Sequence, residues 1–149
     1  MEKTVCKIRE FNRFYLPVFD LLGNRYLGSE YSATEARVLF ELYENDGCNA
    51  AYVSRKMNID KSYLSRVIQK HERSGYVFRC VSEIDARAYE LHLTGKGKCK
   101  VEELIEKSNA QIAETIKPLD AEACGRLYHA LSTVMEILEN RTGAGGASL

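Results

Sequence analysis

Between Asn49 and Gly75 the chain carries two short helical segments separated by only three residues, Asn58-Ile59-Asp60. Asn49 can cap the first segment, which runs through Met57, and Asp60 can cap the second, from Lys61 to Ser74. Gly75 then offers the left-handed residue that a helix terminus wants. Two short helices on a three-residue turn make a helix-turn-helix, and everything else in the chain has to pack around it. Along the second helix Leu64, Val67, Ile68 and His71 repeat at i, i+3, i+4, i+7, so one face is built to be buried. Ser62, Ser65, Arg66 and Gln69 repeat the same spacing on another face, which is left free.

Helical periodicity prevails on either side of this unit. Ile8, Phe11, Tyr15, Val18 and Leu22 form a stripe that would lay one face of a first helix on a partner, and Pro17 within it should produce a kink. Gly23 to Tyr31 reads as a connection. Ser32-x-x-Glu35 is a capping box opening a helix whose apolar set is Ala36, Leu39, Phe40 and Tyr43, and Asn45-Asp46-Gly47 stops it. After Gly75 the pattern changes period. Tyr76 to Val81 is rich in aromatic and β-branched residues, and Tyr89 to Leu93 alternates, which predicts a hairpin with Ser82 to Ala88 as its loop. Thr94 caps a long helix bearing Val101, Leu104, Ile105, Ser108 and Ile112, and Asp120 caps a last one bearing Leu127, Leu131, Val134 and Leu138. The Gly- and Ala-rich residues 143–149 have nothing to bury and are expected to be disordered. The expected class is mainly α, with a small hairpin (α+β, winged helix), as a single domain over residues 1–142.

The chain of 149 residues has 21 basic and 21 acidic side chains, so any attraction to a polyanion has to be local. It is. Residues 54–87 hold eight bases (Arg55, Lys56, Lys61, Arg66, Lys70, Arg73, Arg79, Arg87) against four acids, an excess of +4 in a neutral chain. A cationic patch that coincides with a helix-turn-helix and a hairpin is the electrostatic footprint of double-stranded DNA. On the free face, short Ser62 and Ser65 let the backbone approach a major groove while Arg66 and Gln69 offer forked donors to base edges. Tyr63 lies beside them, and Lys61, Lys70 and Arg73 are spaced to neutralise phosphates.

Other chemistries find little support. No nucleophile with a base, paired carboxylates or phosphate-binding Gly loop occurs in recognisable context, so no catalytic residue and no cofactor is expected. Five cysteines without a C-x-x-C pair and three scattered histidines argue against a disulfide framework and against a metal site. No apolar run reaches 18 residues and no signal peptide is legible at Met1, so the expectation is a cytoplasmic protein without a membrane partner.

Asp60-Lys61-Ser62-Tyr63-Leu64-Ser65-Arg66, Gly75-Tyr76-Val77, Asp85-x-Arg87 and Leu91-x-Leu93-Thr94-x-x-Gly97 together resemble, in order and spacing, the signature of the MarR family of winged helix-turn-helix transcriptional regulators. Arg9-x-Phe11-Asn12-Arg13-Phe14-Tyr15 and Tyr31-Ser32-x-Thr34-Glu35-Ala36-Arg37-Val38-Leu39 resemble the MarR-type half of proteins fused to a GNAT acetyltransferase, with the enzymatic half expected to be absent here. The resemblance implies a DNA-binding winged helix at about 32–94 and dimerisation helices at about 4–22 and 95–140. It also implies a homodimer, most simply a repressor, on a pseudo-palindromic site. It assigns Arg87 to the minor groove, whereas the residues alone leave open an ion pair between Arg87 and Asp85.

Relatives of this kind are released from DNA by a small aromatic or anionic ligand or by cysteine oxidation. Phe11, Phe14, Tyr15 and Tyr31, with Phe19 and Tyr26, are the candidate lining of a ligand pocket. The resemblance makes Cys6 the candidate thiol, because related peroxide sensors place their reactive cysteine in the first helix, and Cys80 on the hairpin is expected to be buried and inert. The competing reading is a winged helix that binds protein rather than DNA.

Overall fold

The computed structural model describes residues 1–143. Those residues form six α-helices and one hairpin: α1 (Glu2–Val18), α2 (Ala33–Glu44), α3 (Ala50–Met57), α4 (Lys61–Arg73), β1 (Val77–Val81), β2 (Tyr89–Leu93), α5 (Gly95–Ile116) and α6 (Ala121–Gly143). They fall into two compact units, Met1–Gln111 and a second that begins at Ile112. The expected disordered tail lies outside the described residues except for Gly143, which ends α6.

The caps expected from sequence form. Ser32 Oγ accepts from the Glu35 N–H at 3.2 Å while the Glu35 carboxylate accepts from the Ser32 N–H at 2.9 Å. Asn49 accepts from Tyr52, Asp60 from Ser62 and Tyr63, Thr94 from Gly97 and Asp120 from Ala123. Each such cap contributes about 1 kcal/mol by satisfying amides the helix leaves bare. Asn58 in the turn (φ 51°) and Gly75 after α4 (φ 75°) take the left-handed conformation.

The core of the first unit gathers around α2 and α4. Leu39, Leu42, Leu64 and Leu91 are essentially inaccessible, and each stabilises the fold by roughly 1.5–3 kcal/mol. The buried face of α2 differs from the expected stripe. Val38, Glu41 and Leu42 are inside with Ala36 and Leu39, whereas Tyr43 points outward and its hydroxyl reaches Glu102 at 3.4 Å. The reason is that α2 is covered on several sides, so its burial exceeds what a one-sided period reports. Pro17 also behaves differently from expectation. It occupies the last turn of α1, where the helix ends at Val18, so Leu22 is off the helical stripe and exposed. None of the 17 residues of α1 is buried.

β1 and β2 pair antiparallel with Val77 opposite Leu93 and Val81 opposite Tyr89. On its other edge β2 is held by the α2–α3 connection: Gly47 N–H donates to Leu91 O and Leu91 N–H to Cys48 O at 3.0 and 2.9 Å. Gly97 lets α5 meet the hairpin, since a Cβ there would stand 2.1 Å from Tyr76 O. In the second unit, Leu127, Leu131, Val134 and Leu138 of α6 are all exposed.

Candidate nucleic-acid interface

The free face of α4 is built by its own amphipathicity. With Leu64, Val67, Ile68 and His71 all inside, a 100° turn per residue forces Lys61, Ser62, Ser65, Arg66, Gln69 and Arg73 outward, and all six are exposed. Tyr63 is only half exposed and packs against the core; the Arg66 guanidinium lies 6.0 Å from its ring centroid. Among the described residues, Arg55, Lys56, Lys61, Arg66, Arg73 and Arg87 have no carboxylate partner, so their charge faces solvent unspent.

Lys70 is the exception. Its ammonium donates to both oxygens of Glu35 at 3.0 Å and to Glu30 O at 3.4 Å, and lies 4.8 Å from the Tyr31 ring centroid. The sequence assigned it to phosphate; the structure instead engages it with the first turn of α2. His71 beside it donates from Nε2 to Glu35 O at 2.8 Å, and the Tyr31 hydroxyl and Ser74 Oγ share a hydrogen bond at 2.7 Å. The residues from Glu30 to Glu35 thus clamp the second half of α4. Burial raises the Glu35 carboxyl, but the Ser32 amide and Lys70 outweigh it and hold it below its usual range.

The wing separates two groups that sequence left together. Asp85 does not hold the Arg87 guanidinium. Its carboxylate accepts from the Arg87 backbone N–H at 3.0 Å, which shapes the loop and leaves the Arg87 side chain exposed and unpaired. Arg79 donates twice to Glu72, at 2.8 and 3.0 Å, tying β1 to α4. On the outer face His92 stacks on Phe78 and lies 3.1 Å from Asp46 and 3.6 Å from Glu90.

The candidate pocket residues are not brought together. Tyr31 is fully buried in the core, whereas Phe11 stacks on Tyr15 along α1, Phe19 at the C-cap is tilted against Tyr15, and Phe14 is two-thirds exposed. A cavity of about 680 Å³ does exist in the first unit, but of the aromatic residues named from sequence only Tyr26 lines it, together with Leu16, Arg37, Phe40, Met57 and Ile105. The signal for it was legible: Ala33, Ala36, Arg37 and Phe40 repeat at i, i+3, i+4, i+7, a stripe with a cation among small and apolar residues. Arg37 is its sole charged lining residue, paired with Glu41 at 2.6 Å.

Cys6 is exposed and so is Cys80, which corrects the expectation of a buried hairpin thiol. Cys80 lies on the same face of the hairpin as Phe78 and His92, and of the five residues of β1 only Val77 is buried. The thiol that burial does raise is Cys48. No cluster that could hold a metal, and no helix long and apolar enough to cross a membrane, occurs among the described residues.

The MarR family model matches residues 30–88, from the segment that clamps α4 to the base of the wing. A Bacillus subtilis protein named as an HTH-type transcriptional regulator, YfiV, is 26% identical over 136 residues, covering 89% of this chain and 85% of its own length. A MarR transcriptional regulator from Methanosarcina mazei superposes with a TM-score of 0.72 at 25% identity, covering 93% of this chain and 98% of its own. Streptococcus pneumoniae FabT, solved in complex with DNA, shares the fold with a TM-score of 0.67 at 22% identity, covering 93% and 95%. The helix-turn-helix, the hairpin behind it and these likenesses agree: the chain has a winged helix-turn-helix fold and is similar over residues 30–88 to the MarR family of transcriptional regulators.

Proposed function

We propose that this protein is a MarR-type homodimeric repressor that binds a pseudo-palindromic DNA site, with two α4 helices in successive major grooves about 34 Å apart. The observation that carries the reading is the outward face of α4. It presents Lys61, Ser62, Ser65, Arg66, Gln69 and Arg73 together, with no carboxylate neutralising its cations. Arg66 and Gln69 read base edges, Ser62 and Ser65 permit close approach, and Lys61 and Arg73 contact phosphates. Arg87, unpaired on the wing, reaches the flanking minor groove. Exposed apolar stripes on α1 and on α6 supply surface for a second copy.

The effector on this reading is a small aromatic acid. The 680 Å³ cavity is large enough for one, its walls are mainly apolar, and Arg37 supplies the one positive group. Such a ligand competes with Glu41 for Arg37 and so acts on α2.

The test is fluorescence anisotropy with a duplex from the protein's own upstream region and a scrambled duplex, at two salt concentrations. The upstream duplex is expected to bind at least about 10³-fold tighter, and Arg66→Ala to abolish most of that preference. Equal weak binding to both duplexes, unchanged by Arg66→Ala, would replace this reading with the protein-binding one.

A further inference from the structure

A recognition helix in the major groove and a wing in the neighbouring minor groove must straddle one strand of the DNA backbone. In this chain the space between those two elements has a definite form. A groove of about 270 Å³ lies between α4, the inner face of the hairpin and the start of α3 at residues 49–51, walled by Ile68, Leu91 and Tyr89 and rimmed by Lys61, Ser65 and Arg79. Strand alternation explains its apolar wall. Tyr89, Leu91 and Leu93 share one face of β2, yet Leu91 and Leu93 are 2% and 5% exposed while Tyr89 is 54% exposed. Its cross-strand neighbour Val81 is 55% exposed. Folding therefore leaves this end of the core-facing strand surface open.

Across from it, the Lys61 ammonium and Ser65 hydroxyl have no hydrogen-bond partner among the described residues, and neither does the Tyr89 hydroxyl. The Arg79 guanidinium is occupied by Glu72, so the net free charge of the groove is that of Lys61. An apolar wall facing one cation and two hydroxyls suits a group that is part hydrocarbon and part anion. We infer that the groove seats one sugar–phosphate of the DNA backbone, the deoxyribose against the Tyr89 ring and the phosphate against Lys61, Ser65 and the Tyr89 hydroxyl. The inference rests on the DNA-binding reading and adds to it Tyr89 and Ala88, which the motif did not single out. Because a backbone contact positions without reading sequence, its loss weakens all duplexes alike.

The test uses Ala88, a half-buried residue lining the groove at the end of the wing loop, and the conservative Tyr89→Phe. Binding to the upstream and scrambled duplexes is measured over a salt series. Ala88→Lys is expected to tighten both duplexes and to steepen the slope of log K against log salt by about 0.9, and Ala88→Glu to loosen both. Tyr89→Phe is expected to loosen both by roughly 2- to 10-fold, the worth of one hydrogen bond, with their affinity ratio unchanged. Wild-type affinity and slope in both Ala88 variants, or a Tyr89→Phe that alters the ratio instead, overturns the backbone seat. A wild-type protein that binds neither duplex overturns the DNA reading on which it rests.

Discussion

His71 lies completely inside the first unit, its ring tilted against that of Tyr31 with centroids 4.7 Å apart and Nε2 on the Glu35 carbonyl. A carbonyl only accepts, so the proton sits on Nε2 and Nδ1 is left buried with no partner. Burial holds the imidazole below its ordinary range, against the pull of the Glu35 carbonyl and carboxylate. The unfolded chain takes up this proton near pH 6.5 and the folded chain only at lower pH, so between those points the unfolded state binds more protons. Stability is therefore full above about pH 7 and falls as pH drops below 6.5, by at most about 1.4 kcal/mol per pH unit. In urea titrations at pH 7.5 and 5.5, His71→Gln, which keeps a donor for Glu35, is expected to be less stable at the higher pH but to lose less on acidification. Equal pH dependence in both proteins would show that another group carries it. The Glu35 carboxylate adds its own loss at lower pH, since its depressed pKa contributes stability that disappears below the usual carboxylate range. Histidine spacing showed from sequence that residue 71 faces inward; its partner on another helix could not be read, because that contact spans 36 residues.

At the scale of elements, α4 divides along its length. Its first half is held by Asp60 and the core alone and leaves its polar groups free, while its second half is clamped to residues 30–35. Sequence spacing gave Lys70 and Arg73 the same use, because both lie on the outward side of a helix. They differ only in what stands opposite, and Glu35 stands opposite Lys70. Lys70→Met is accordingly expected to lower stability by roughly 0.5–1 kcal/mol, the scale of a partly exposed ion pair, and to leave the salt slope of DNA binding unchanged. Arg73→Ala is expected to do the reverse, with stability unaltered and the slope shallower by about 0.9. Thermal denaturation and salt-series anisotropy on the two variants separate these outcomes; a shallower slope in Lys70→Met would return that residue to the phosphate contacts. The capping box, the three-residue turn and the existence of the hairpin were all legible, since each is set by residues within a few positions of one another or by strand alternation.

For the whole molecule, the long helices carry more apolar surface than one chain covers. Val5, Ile8 and Phe11 on α1 and Leu131, Val134 and Leu138 on α6 are between 39% and 50% exposed. On the proposed homodimer, in which both stripes serve a second copy, Leu131→Glu is expected to yield monomers in sedimentation velocity and to weaken binding of the upstream duplex at least about tenfold, as one half-site is lost. Dimers of Leu131→Glu with intact binding would place the interface elsewhere. Sequence by itself determined the element order, the helix caps, the buried and free faces of α4, the wing and the MarR resemblance, because local hydrogen bonding and hydrophobic period write these into neighbouring residues. Only the tertiary structure decided that Lys70 braces and Arg87 stays free, that Cys80 is exposed, and that Tyr31 fills the core. It also decided that the cavity is lined by Tyr26 and Arg37 rather than by the α1 aromatics, and that Tyr89 lies open across from Lys61. Each of these depends on which side chain from a distant segment arrives opposite, and periodicity along one element carries no record of that.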